Sequence, residues 1–481
     1  MKAALPDLMR FVAQAAEGAD RVVVLGMGGS SLAPLVFGQS FGRRAGYPEL
    51  QVLDSTEPSS VLEVAEAGDL GRTLFVVSSK SGSTLEPNIF FDYFYGRVEK
   101  SLGARAGERF IVVTDPGSPL EKEASRRRVR RIFPGDPKIG GRYSALSNFG
   151  LVPAALGGAD VAELLRRAAS VAELCRREGP ENPGLSLGAA VGAAAIAGRD
   201  KATFFVGHPI GRFGMWIEQL IAESTGKEGK GILPIEGEPP GPPDVYGEDR
   251  FFVGIGRRGS REVSQAIDPL TRAGHPAATF EVEDARDLGA EMFRWEFATA
   301  LAGKLLDINP FDQPNVQEAK DRTNEILGKS TVDSQQSTGV DARALRELLD
   351  SVRAGDYFAI TAYLHETRET EAALQRIRLE VRDALKVATT VGFGPRFLHS
   401  TGQLHKGGPD TGVFLQVTAN PAASVPIPGK PWGFGEVVAA QAAGDLSALR
   451  SRGRRALRIH LLEDVPRGLE ELQAAVARAL Q

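Results

Sequence analysis

The chain has 481 residues, 42% hydrophobic and 25% charged, enough for two or three domains that each bury a core of their own. A formal charge of -4 supplies no general basic face, so nucleic acid is excluded as a partner on bulk electrostatics and any bound anion must be caught by local geometry. Neither a basic-then-apolar opening nor a run of about 18 apolar residues occurs, which points to a cytoplasmic protein with no membrane partner.

The first third alternates short β-branched runs with helical patterns: RVVVLG (21–26), LQVLD (50–54), TLFVVSS (73–79) and RFIVVTD (109–115). Continuous apolar runs between helices are strands buried on both faces, so residues 1–150 read as an α/β unit with a parallel, doubly wound sheet. From Gly150 to about Arg199 the pattern is helical and Ala/Leu-rich. The single cysteine, Cys175, lies there in AELLRRAASVAELCRRE, without a disulfide partner or a nearby His or Asp motif, and reads as structural. A second α/β unit, closing residues 151–330, shows ATFFVG (202–207), a helix around 215–224 and RFFVGIG (250–256), with 235–249 expected as a surface loop. Residues 331–481 give YFAITAYL (357–364), a charged helix over 369–390, GVFLQV (412–417) and LRIHLL (457–462). This third stretch is either a small domain or the completion of the second sheet.

Two Gly/Ser-rich turns carry the first chemical signal. LGMGGSSLAP (25–34) follows a strand and opens a helix, so its backbone N–H groups converge on one spot suited to an anion. The spacing G-x-G-G-S, with the hydroxyls of Ser30 and Ser31, departs from a dinucleotide turn. SSKSGSTLEP (78–87) packs hydroxyls and one ammonium into a single turn; alone it also fits a loop that caps the helix starting near Glu86.

Together these segments resemble the phosphate loops of the sugar isomerase (SIS) domain, and in particular those of the glucose-6-phosphate isomerase family. The resemblance implies two SIS-type doubly wound domains plus a C-terminal α/β segment, and an aldose–ketose isomerase of glycolysis and gluconeogenesis that works through ring opening and a cis-enediol. It places Gly29, Ser30, Ser79, Lys80, Ser81 and Thr84 on the sugar phosphate, with Glu86 as a supporting carboxylate. IGGRYSALSNFG (139–150) resembles the family's arginine signature, with Gly141 close to the sugar and Arg142 against its oxygens; an arginine stays protonated and suits a developing oxyanion. IEQLIAESTGKEGKGILP (217–234) resembles the general-base segment, where Gln219 and Glu223 share a helix face and Glu223 is the candidate proton carrier. NPFDQPNVQEAK (309–320) resembles a second signature, with Gln313 on a hydroxyl and Lys320 assisting ring opening, although Asn315 and Gln317 depart from the usual Gly and Glu.

LHSTGQLHKGG (398–408) is similar to the segment whose histidine opens the ring; His399 matches it and His405 competes. Imidazole exchanges protons near neutral pH. The segment follows Lys320 where other family members place it earlier. That order resembles the isomerase half of bifunctional transaldolase/glucose-6-phosphate isomerases, and the short stretch before the first phosphate strand leaves no room for a (β/α)₈ barrel. In the family the histidine comes from a neighbouring subunit, which implies a homodimer. The remaining histidines lack metal-ligand spacing, so neither metal nor cofactor is expected. Two rival readings stand beside the isomerase: a non-catalytic sugar-phosphate-binding regulator, and an isomerase that also accepts mannose 6-phosphate.

Overall fold

The computed structural model describes residues 4–314, 322–323, 325–328, 339–462 and 464–481. Its strands form three separate parallel sheets. The first contains β1 (Arg21–Gly26), β2 (Glu49–Leu53), β3 (Thr73–Ser78), β4 (Phe110–Thr114) and β5 (Arg131–Pro134) in the order β2-β1-β3-β4-β5. The second contains β6 (Lys201–Val206), β7 (Leu233–Ile235), β8 (Arg250–Gly256) and β9 (Ala277–Glu281), ordered β7-β6-β8-β9. The third contains β10 (Tyr357–Tyr363), β11 (Ala388–Phe393), β12 (Gly412–Ala419) and β13 (Arg455–Leu461), ordered β11-β10-β12-β13. The C-terminal strands therefore do not complete the second sheet. Each sheet reverses its winding beside its first strand, and doubly wound sheets bind ligands at the carboxyl ends of the strands flanking that point.

Alternation along the buried strands builds two cores on the first sheet. Val22, Val24, Leu74, Val76, Ile111 and Val113 face one side, and this core runs on through helices Asn148–Leu156 and Phe213–Thr225 into Phe204, Val253 and Ile255 of the second sheet. Val23, Leu25, Phe75, Val77 and Val112 face the other side and meet Val425, Ile427, Phe434 and Val437 from the C-terminal third. The two outer units thus clasp opposite faces of the first. They also touch each other through a buried charge cluster, in which the Glu238 carboxylate lies 3.3 Å from Arg250, 3.9 Å from Arg378 and 3.8 Å from Arg382.

Two expectations need correction here. The stretch 235–249 is not wholly a surface loop: Glu238, Val245 and Tyr246 are buried, because they supply and cover that charge cluster. The charged helix ends at Leu385, where Lys386 takes a positive φ of 55° that cannot continue a right-handed helix, and β11 follows directly. Cys175 caps helix Val161–Leu174 and packs beside Val171 and Ala290, with burial pushing its thiol pKa up, which fits a structural residue.

Helix Leu288–Leu305 buries Glu291, which is 2% exposed, lies 3.1 Å from Arg294 and has no partner for its Oε2 among the described residues. Burial raises its pKa to about 7, against an opposing pull from Arg294. Between the ordinary carboxylate range and that value the folded chain holds a proton that the unfolded chain has lost, so this residue's contribution to stability falls as pH rises through the window. We predict that Glu291→Gln flattens the decline in Tm between pH 5 and 7 and melts higher than the parent at pH 8. Thermal melts across that range check it, and an unchanged slope would contradict it.

Candidate active site

Both Gly/Ser-rich turns lie where the first sheet's winding reverses. β1 and β3 are neighbours in parallel register, Gly26 opposite Ser78, so the turns after them open side by side. Gly28 has a positive φ of 54°, and a Cβ there would come within 2.8 Å of both the Gln219 side chain and the His399 carbonyl. At Gly29 a Cβ would stand 2.1 Å from the Gly141 carbonyl oxygen. These two glycines let three distant segments converge on one turn. We predict that Gly29→Ala drives the 28–30 and 140–142 backbones apart and raises KM for a sugar phosphate about tenfold or more, since displacements of an ångström at a positioning element have effects of that size. Steady-state kinetics with a parallel melt check it; an unchanged KM would contradict it.

Among the expected phosphate ligands, Ser79 is buried and its hydroxyl has no hydrogen-bond partner among the described residues, as befits a group kept for a ligand. Ser30 is also buried, whereas Ser81 lies exposed at the rim, where it accepts from the Ser83 hydroxyl at 3.0 Å. Thr84 is half-buried at the N-terminus of helix Leu85–Leu102 and its side chain makes no cap bond. The Lys80 ammonium donates to Asp115 Oδ2 at 2.5 Å and to the Asp136 carbonyl at 2.8 Å, so it contributes to the loop as half of an ion pair.

The catalytic candidates lie next to this opening. Helix Phe213–Thr225 packs Trp216, Ile217, Leu220 and Ile221 into the core, and Gln219 and Glu223, one turn apart, face the site. Gln219 Nε2 donates to Glu223 Oε2 at 3.0 Å and to the His399 carbonyl at 2.9 Å, while its buried Oε1 has no partner among the described residues. The amide sense is therefore set by its neighbours, and an acceptor is left beside the carboxylate.

Arg142 is 1% exposed and holds the site together. Its Nε donates to Ser224 Oγ (2.8 Å), its Nη1 to Gln313 Oε1 (2.7 Å) and its Nη2 to the carbonyls of Pro310 (2.6 Å) and Asp312 (2.8 Å). A guanidinium has five N–H groups, so among the described residues one on Nη1 is left over. Nη1 lies 3.6 Å from Glu223 Oε1, which puts that donor next to the carboxylate. Sequence reasoning missed two residues that support this cluster. Ser224 sits beside the candidate base and also meets the Tyr143 hydroxyl at 3.0 Å; Lys227, 2% exposed at its side chain, clamps the loop through the Asn309 carbonyl (2.7 Å) and Asp312 Oδ1 (2.6 Å). A buried lysine one turn past a helical Glu was the available signal. Lys320 lies outside the described residues.

His399 arrives from the C-terminal unit of the same chain. Arg396, three residues earlier, forms a bidentate pair with Asp54 just past β2, both bonds 2.9 Å, and pins the segment to the first unit. His399 Nε2 then lies 3.0 Å from Glu86 Oε1, in the first turn of helix Leu85–Leu102. His405 is a different kind of residue. It is 3% exposed among Tyr357, Phe397 and Phe414, neither ring nitrogen has a partner among the described residues, and burial drives its pKa well below the usual histidine value. It is core packing, which leaves His399 as the histidine at the opening. His399 and Glu86 thus meet within one chain.

Two Gly/Ser-rich loops at the winding reversal of one doubly wound sheet, faced by a carboxylate-bearing helix that precedes the second strand of another, make a fold of the SIS type. The phosphoglucose isomerase family profile matches residues 10–232. Over 366 aligned residues the chain is 31% identical to a glucose-6-phosphate isomerase of Rubrobacter xylanophilus, covering 65% of this chain and 84% of that one. A glucose-6-phosphate isomerase of Carboxydothermus hydrogenoformans is 29% identical, covering 64% of this chain and 78% of its own. Among solved structures, a hypothetical protein of Thermus thermophilus superposes with a TM-score of 0.61 at 25% identity, over 67% of this chain and 87% of that one. A glucose-6-phosphate isomerase of Chlamydia trachomatis shares the fold with a TM-score of 0.56 at 22% identity, over 73% of this chain and 76% of its own. The chain belongs to the phosphoglucose isomerase family.

Among the described residues no helix is long and apolar enough to cross a membrane, and no group of three or more His, Cys, Asp and Glu is arranged to hold a metal ion.

Proposed function

We propose that this protein interconverts glucose 6-phosphate and fructose 6-phosphate, with Glu223 as the proton carrier. The observation that carries the reading is the contact path Glu223–Gln219–His399–Glu86, which runs from the candidate base to the helix that follows the phosphate loop. The phosphoryl group is held by Gly29, Ser30, Ser79, Lys80, Ser81 and Thr84. His399, oriented through Nε2 by Glu86, exchanges a proton with the ring oxygen through Nδ1 and opens the ring, with Lys320 as its partner. The Glu223 carboxylate then takes the proton from C2 of the open aldose and returns it to C1. The spare Nη1 donor of Arg142 stabilises the enediolate oxygen between those transfers. Gln219 and Gln313 bind sugar hydroxyls, and the Gly141 backbone lies against the sugar.

The reaction needs no metal or cofactor in this scheme, which draws His399, Glu86 and Glu223 from one chain. We read the homodimer implied by the resemblance as an assembly of complete sites, and the motif order as that of an isomerase-only form of the bifunctional branch. The protein acts in the cytoplasm. The test is a coupled assay of fructose 6-phosphate conversion across a range of enzyme dilution. We expect turnover with constant specific activity on dilution to monomer and after treatment with a chelator. Absence of turnover with retained sugar-phosphate binding would favour the regulator, and equal turnover of mannose 6-phosphate would favour the dual isomerase.

A further inference from the structure

We infer that Gln441, braced by Thr56, is a positioning residue for ring opening, which it serves by fixing the Glu86 carboxylate that orients His399. The inference rests on the ring-opening reading of His399.

The geometry is a short relay across the joint between the first and third units. Gln441 lies on helix Phe434–Ser451, which packs against the first sheet through Phe434 and Val437. Its Nε2 donates to Glu86 Oε1 at 2.7 Å, and its Oε1 accepts from Thr56 Oγ1 at 2.6 Å. The Glu86 carboxylate can only accept, so the amide is held with its N–H side toward it, and the Thr56 hydroxyl, which can donate or accept, donates to the amide oxygen left on the other side. Thr56 is 0%, Gln441 2% and Glu86 4% exposed, so water does not reach the relay to replace a lost partner.

The Glu86 oxygen that receives Gln441 is the one that meets His399 Nε2 at 3.0 Å. A carboxylate held by a histidine alone could swing about its terminal torsion and carry the imidazole with it. The second donor on the same oxygen restrains that swing, and Thr56 restrains the donor. His399 Nδ1 has no partner among the described residues, so its placement depends on how firmly Nε2 is held at the other end of the ring. The restraint joins two units whose relative placement decides where His399 stands. That gives Thr56 and Gln441, 385 residues apart in sequence, a common task.

The test compares fructose 6-phosphate with 5-deoxyfructose 6-phosphate, an open-chain ketose that lacks the hydroxyl needed to close a furanose ring and so bypasses ring opening. Gln441→Leu should lower kcat on fructose 6-phosphate about tenfold, the low end of what losing a hydrogen bond to a charged group costs, with KM within about twofold. On the open-chain substrate its kcat should stay within about twofold of the parent, a split that mere loosening of the fold would not produce. Thr56→Val, which removes one hydroxyl and keeps the shape, should show the same split at about threefold and guards against a Gln441 variant that fails to fold. Parallel losses on both substrates, or no loss on either, would overturn the inference. His399→Asn in the same assay separates the two ideas. A split there without one in the Gln441 and Thr56 variants sinks the positioning role alone, whereas no split in His399→Asn sinks the ring-opening reading and the inference with it.

Discussion

Glu223→Gln should lower kcat for isomerisation by about 10³–10⁴-fold while changing KM little, the loss expected when a positioned general base is removed. The substitution keeps the side chain's size and an oxygen that can still accept from Gln219 Nε2, which already donates to Glu223 at 3.0 Å. The Gly/Ser-rich turns belong to the loops after β1 and β3, and the helix meets the first of them where Gln219 lies against Gly28, so the substitution should leave them in place. The variant should therefore bind fructose 6-phosphate with near-parental affinity, measured by calorimetry, and fail to exchange the C1 proton with solvent deuterium. Turnover within tenfold of the parent would show that another group carries the proton. Lys227 is the nearest buried ionisable residue down the helix, but its ammonium is occupied by the Asn309 and Asp312 oxygens, and that speaks against it.

Most of the strands that were readable in sequence are buried on both faces, although the half-buried edge strands β2 and β13 were read as well. β1, β3, β4, β8 and β12 are continuous apolar runs because layers of side chains cover each of them above and below. β5, β7 and β9 escaped, being short or at a sheet edge where partial exposure breaks the run; β9 consists of half-buried and exposed residues with none fully buried. β11 was absorbed into the preceding helix because only the left-handed turn at Lys386 separates them, and a lysine does not announce such a turn. The site followed a similar rule. Motifs in which several functional residues are neighbours, such as GMGGSSLAP and SSKSGSTLEP, could be recognised, and they do open side by side. Supporting residues drawn singly from far apart could not: neither Thr56 nor Gln441 stands in a pattern, and their bond exists only after the C-terminal unit docks. The motif favoured His399 over His405, six residues later, and burial of His405 among aromatic rings, with His399 against Glu86, separates the two in the structure.

Arg142→Lys should lower kcat/KM by about 10²–10³-fold, within the range for loss of a preorganised donor to a developing oxyanion, although the charge is kept. An ammonium has three donors radiating from one atom, whereas Arg142 spreads its bonds over Ser224, Gln313 and the carbonyls of Pro310 and Asp312. Lysine cannot span that set. The carbonyls that it abandons are buried or half-buried, and an unsatisfied group of that kind costs about 1–3 kcal/mol, so Tm should fall by several degrees along with activity. The division between kcat and KM carries the mechanistic content. If the spare Nη1 donor beside Glu223 serves the enediolate, most of the loss falls on kcat, because that charge exists only after the proton has left C2. If Arg142 only braces the 309–313 loop, substrate affinity and stability should fall with kcat unchanged at saturation, and the electrostatic role assigned to it would be wrong.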